Sequence, residues 1–223
     1  MIGKAFKAEF RRYFLSVREK PLLVVNPLVF YLLITLLFPL GLSPKMSLLH
    51  ALAPGLIWIM LLLSMMMPIE RLFQQDFDSG ILEQYLLGQT SLYFVVQARV
   101  LAFWCFNTLP LVLLSPFIAL MLQMNWHESL VLLVSLLTGS PVVLMLMALL
   151  SALTMGLAGR QILLPILLLP LIVPVVILGG GSVSLTMQAL SATPMLLLLS
   201  AVCSFVISTV PFAISSAIRM VEF

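Results

Sequence analysis

From Leu22 onward the chain is a succession of apolar runs broken by a few short polar stretches. Each run is about 20 residues or longer, the length an α-helix needs to cross about 30 Å of hydrocarbon at 1.5 Å of rise per residue. The pattern predicts six transmembrane helices, at about 22–42, 48–69, 94–122, 129–157, 162–178 and 194–217. The breaks between them are GLSPK at 41–45, a long polar stretch at 70–90, QMNWHE at 123–128, AGRQ at 158–161 and a glycine-rich polar segment at 179–193.

Before the first run the pattern takes a different form. Ile2, Phe6, Phe10, Tyr13, Phe14 and Val17 recur at helical spacing, with Lys4, Lys7, Arg11 and Arg18 on the opposite face. This predicts an interfacial amphipathic helix over 1–20, with Lys4, Lys7, Arg11 and Arg12 toward anionic headgroups and the aromatic rings in the acyl boundary. The plainer alternative is a solvated basic tail that only fixes orientation. Pro21 ends the helix, because proline lacks a backbone donor and disfavours helix in the residue before it. No apolar core with a small-residue cleavage site follows in the usual order, so no cleaved signal peptide is expected.

The stretch 70–90 holds Glu70, Arg71, Asp76, Asp78 and Glu83, five charges in a chain with only 11 basic and 8 acidic residues. Ile69, Leu72 and Phe73 share one helical face, and Asp78 or Ser79 can cap a second short helix whose stripe is Ile81, Leu82, Tyr85 and Leu86. The expected form is a broken amphipathic helix along the membrane surface. It is either a connector that touches nothing or a coupling element, anchored by its apolar face and docked by its charged face on a partner.

Composition agrees with one transmembrane domain spanning 1–223. Hydrophobic residues are 62% and charged residues 9%, against the roughly 25% charged of a soluble domain, and a nucleic-acid partner is not expected. Six spans put both termini on one side. If that side is the cytoplasm it holds ten of the 11 basic residues, leaving Lys45 outside, as the positive-inside rule requires. Cys105 and Cys203 fall inside spans and read as buried packing residues. Prolines in and near the spans, densest in LPILLLPLIVP, mark either static kinks or a bundle that rearranges.

Chemistry is narrowed by what is missing. No G-x-x-x-x-G-K-[ST] loop occurs, so an ATP-driven process would need its ATPase on another polypeptide. Apart from Arg99, expected to snorkel to the headgroups, the spans carry essentially no ionisable residue, which argues against an ion-coupled carrier. No hydrolase or metalloprotease motif appears, and an enzyme is not expected.

The string F-x-x-D-x-x-x-G-x-L-E, present as Phe73, Asp76, Gly80, Leu82 and Glu83 and followed by a basic residue, Arg99, in the next span, resembles the ABC-2 class of transporter permeases. More closely, NPLVFYLLITLLFPL, LAPGLIWIMLLLS, ERLFQQDFDSGILEQ and LPLVLLSPFIALML are similar to the CcmB family of c-type cytochrome maturation, over essentially the whole chain. The resemblance implies an all-α polytopic protein of the bacterial inner membrane, with six transmembrane helices, an N-terminal interfacial helix, a cytoplasmic coupling helix and both termini in the cytoplasm. It implies a separate ATPase, CcmA, holding ATP and Mg, with CcmC, CcmD and the haem chaperone CcmE in the same assembly. Haem would then be either exported or left with its chaperone while ATP drives the release of loaded CcmE from CcmC. The absence here of the tryptophan-rich haem-handling motif of CcmC favours the second.

On this reading Arg71, Gln74, Asp76, Asp78 and Glu83 contact the ATPase, and Phe73, Gly80 and Leu82 anchor the coupling helix. An ATPase dimer offers two equivalent grooves, so two copies of the chain are expected. His50 and His127 fall at the outer face; they read as polar anchors, with haem ligation as the weaker alternative. The competing functions are export of another amphiphile, a lipid or drug, and a scaffold subunit that does not move.

Overall fold

The structure, a computed structural model, describes residues 2–41, 46–69, 71–81, 92–157 and 159–221. The described residues form helices α1 (Ile2–Glu19), α2 (Leu22–Gly41), α3 (Met46–Ile69), α4 (Arg71–Asp78), α5 (Leu92–Phe103), α6 (Leu109–Met121), α7 (Trp126–Leu153), α8 (Arg160–Met187) and α9 (Thr193–Val221). Six of the helical stretches are long and apolar enough to cross a membrane: α2, α3, the α5–α6 rod, α7, α8 and α9. Leu82 and Glu83 lie outside the described residues, as does most of the second half of the 70–90 stretch.

Helix α7 is the central post, packed against α3, α6, α8 and α9. Its buried Leu132, Leu136, Val143 and Met147 belong to one core with Ile57, Trp58, Leu61 and Met65 of α3. Asn125 caps α7: Glu128, at its third position, accepts the Asn125 backbone N–H at 2.8 Å in a capping box. Helices α2, α8 and α9 lie outside and leave rows of leucine, isoleucine and phenylalanine uncovered, as lipid-facing surfaces do.

Three departures from the sequence expectation have local causes. The fifth span does not stop at 178: α8 runs on through Gly179–Gly181 to Met187. Glycine is tolerated there because the fully buried Trp58 ring lies against Gly179 and against Gly139 of α7, where a Cβ would come well under 3.0 Å from it. The polar residues after the glycines satisfy their hydroxyls on carbonyls of the same helix, Ser182 Oγ to Gly179 O at 2.7 Å and Thr186 Oγ1 to Ser182 O at 3.0 Å.

The third span is not one uniform helix. Residues Trp104–Thr108 form a π-turn between α5 and α6, and Leu109 N–H bonds Trp104 O, one residue further back than in an α-helix. Pro110 explains it: its ring offers no N–H and would crowd the carbonyl four residues earlier, and widening the turn relieves both. Trp104 Nε1 holds the turn to α7 by donating to Ser140 Oγ at 3.0 Å.

The third departure concerns α1, whose aromatic face packs in part on the protein, Phe14 staying 47% exposed. Phe10, Tyr13 and Phe14 surround Phe106 of the π-turn at centroid distances of 5.4, 6.1 and 5.7 Å. Lys7 and Arg11 remain exposed on the other face, as the alternation predicts, and the side chain of Lys4 is outside the described set.

Candidate coupling site

Helix α4 sits at the end of α3 and its apolar side is gripped by the bundle. Leu72 and Phe73 are buried in the core, and the Phe77 ring rests on Gly156, which has φ +73° in the turn after α7. Ser151 of α7 donates its hydroxyl to Ile69 O at 3.4 Å, holding the junction just before α4. Gly80, with φ +65°, ends the helix in a conformation that residues with a Cβ rarely adopt, and its N–H bonds Phe77 O at 3.1 Å. On the outer side Gln74 Nε2 donates to the exposed Asp78 at 2.7 Å.

Asp76, expected on the docking face, is instead 4% exposed and faces inward. Its Oδ1 accepts from Arg12 Nη2 of α1 at 2.6 Å, and its Oδ2 pairs with Arg99 Nη1 of α5. Arg99 Nη2 reaches Glu9 of α1 at 3.1 Å, and Glu9 lies 3.8 Å from Arg12, so four charges from three helices close a ring with no net charge. Two expectations are corrected here. Arg99 is 7% exposed and does not snorkel, and Arg12 turns to Asp76 rather than to headgroups. The physical reason is the same for both: a charge near an apolar bundle is best stabilised by the opposite charge already held there.

One turn beyond Glu9, Tyr13 Oη accepts a hydrogen bond from Asn107 Nδ2 of the π-turn. Burial pushes the Tyr13 phenol up to about 12, against the opposing pull of Asn107 and Arg99, so it stays neutral at physiological pH. Asn107 Oδ1 and Thr108 Oγ1 beside it are buried without a hydrogen-bond partner.

The sequence-predicted site therefore divides. Phe73 and Gly80 hold α4 in place, Gln74 and Asp78 lie on its outer side, Asp76 is internal, and the side chains of Arg71, Leu82 and Glu83 lie outside the described set. Glu9 was missed. Its signal was available: it falls on the aromatic face of a basic helix, where an acid needs a cationic partner.

At the opposite end of the bundle His50 Nε2 meets Glu128 at 2.9 Å, while His127 is exposed on the first turn of α7. The two histidines do not converge on a ligand set; among the described residues no group of three His, Cys, Asp or Glu could hold a metal. Cys105 and Cys203, expected buried, are free and half-buried on the bundle's sides.

A family model described as CcmB protein matches residues 5–221. The chain is 42% identical over 202 residues to heme exporter protein B of Pseudomonas aeruginosa, covering 91% of both. It is 38% identical over 197 residues to the protein of that name from Haemophilus influenzae, covering 88% of this chain and 89% of the relative. With the Escherichia coli K12 protein of that name the identity is 37% over 220 residues, 99% of this chain and 98% of the relative.

Proposed function

This chain belongs to the CcmB protein family, and from that premise we propose that it is the membrane permease subunit of an ATP-driven haem exporter complex serving c-type cytochrome assembly. It sits in the bacterial inner membrane with both termini in the cytoplasm. A separate ATPase, CcmA, holds ATP and Mg, and CcmC, CcmD and CcmE complete the assembly. Haem is cargo of the complex.

The observation that carries this reading is the construction of α4. It is a short polar helix at the end of an apolar bundle, locked on its inner side by Phe73, Phe77 and Asp76 and presenting Gln74 and Asp78 outward. A surface connector with no function has no need of two charged partners from other helices. A handle that must transmit a push does. Gln74 and Asp78, joined by Arg71 and Glu83, form the surface for the ATPase, and the exposed Lys7 and Arg11 meet the anionic headgroups.

Between haem passage and release of the loaded chaperone, the second fits better. Haem propionates crossing a bundle need cationic partners, and Arg99, the cation within the described spans away from their ends, is already neutralised by Asp76 and Glu9.

The test is to purify the tagged chain from its own membranes in mild detergent, identify what accompanies it and record the Soret absorbance. Recovery of an ATPase with a haem-bearing, tryptophan-rich membrane protein is the expected result. An ATPase alone, without haem, would replace the proposal with export of another amphiphile.

A further inference from the structure

We propose that the ring formed by Glu9, Arg12, Asp76 and Arg99 is the joint that carries motion from α4 into the third span, and that α1 is a moving part of that joint; the proposal rests on the coupling reading above.

The other contacts described for α4 are chiefly apolar. Such contacts are non-directional, so they resist separation but not sliding or rotation. A guanidinium paired with a carboxylate fixes both distance and angle. Asp76 accepts from Arg12 on both oxygens and shares Oδ2 with Arg99, so a single side chain of α4 is fastened to α1 and α5 together. Glu9 closes the loop by joining Arg99 to α1. Opening any one link still leaves each charge one partner, so the ring holds together under strain and travels as a body rather than coming apart.

Helix α1 grips the third span at a second point, Tyr13 on Asn107. Arg99 lies before the π-turn and Asn107 within it, so the ring and the tyrosine bracket the place where the helical hydrogen-bond pattern changes step. The partnerless Asn107 Oδ1 and Thr108 Oγ1 lie in that turn, free to take up bonds when its geometry alters. A push on α4 therefore swings α5 and α1 together against α6, with the π-turn as hinge. The four charged residues are positioning residues: they touch neither the ATPase nor the cargo.

The test uses the full complex in a background of Cys105→Ser and Cys203→Ser, with spin labels at the exposed Leu15 of α1 and Leu101 of α5. The distance between labels is measured without nucleotide and with a non-hydrolysable ATP analogue, beside ATP hydrolysis and c-type cytochrome yield. In the unaltered ring the distance stays the same in both states. In Asp76→Asn the Glu9–Arg99 tie keeps that distance unchanged while α4 is released from both helices, so hydrolysis persists and cytochrome yield falls about tenfold, within the range spanned by coupling between sites. Arg99→Lys keeps the charge but lacks the second nitrogen, and gives an intermediate yield; it carries the test if Asp76→Asn does not fold. A Leu15–Leu101 distance that changes with nucleotide in the unaltered ring overturns the proposal, as does wild-type yield in both variants. Failure of the coupling reading itself looks different: no ATPase accompanies the chain, whatever the ring does.

Discussion

The indole of Trp58 lies directly on the backbone of Gly179, at a separation that leaves no room for a Cβ. The same ring covers Gly139 of α7, so one side chain of α3 sets how closely three helices approach.

Gly179→Ala is accordingly expected to overpack the core and cost about 1–3 kcal/mol. Thermal unfolding of the purified protein in detergent would show it as a lower midpoint. Trp58→Phe in the same chain should recover part of the loss, since the smaller ring clears the added methyl. No change in midpoint for Gly179→Ala would mean that α8 can shift away from Trp58 freely.

Removing Arg99 alone by Arg99→Met leaves Glu9 and Asp76 with a single guanidinium between them. Loss of one partner of a buried pair costs about 3–5 kcal/mol; the half-exposed Arg12 screens part of that here. Adding Glu9→Gln restores neutrality and should return most of the stability without restoring the link from α5 to α4. The double-mutant cycle, read by thermal unfolding, therefore separates folding from coupling. Additive losses would show that Glu9 and Arg99 do not interact.

What the sequence shows on its own follows from what each element needs locally. Spans announce themselves by length, and Leu72 and Phe73 by sharing the face of Ile69, so the bundle and the inner side of α4 were both readable. The ring was not, because its bonds join residues 64 and 90 positions apart and a linear pattern carries no neighbour across that distance. Arg99 in isolation looks like a snorkelling arginine, and Asp76 in isolation looks like a surface acid of a docking helix. Only the packing of α1 onto α5 makes them partners. Pro110 was legible as a disturbance, but whether it would kink, break or widen the helix depends on what Asn107 and Trp104 meet.

His50 and His127 give a direct test of cargo ligation. His50 is engaged with Glu128 and His127 lies on a solvent-facing first turn, so His50→Ala and His127→Ala should each leave the Soret absorbance of the purified complex and the c-type cytochrome yield unchanged. A lost or shifted Soret band in either variant would assign haem to this subunit and reverse the choice between passage and chaperone release.

The bond between Tyr13 and Asn107 can be isolated from the aromatic packing around it. Asn107→Leu removes the donor and leaves the neutral Tyr13 hydroxyl without it, at a cost of about 1–3 kcal/mol for a buried polar group left unpaired. Tyr13→Phe in the same chain takes away the stranded hydroxyl while keeping the ring against Phe103 and Phe106, so stability should return close to that of the parent. The two routes differ in what they do to α1. If the bond rather than the ring contact aligns α1 with the π-turn, hydrogen exchange at α1 amides will stay faster in the double variant even after the unfolding midpoint has recovered. Exchange that recovers together with the midpoint would assign the alignment to the aromatic cluster, and would leave the charge ring as the fixed tie between α1 and the third span.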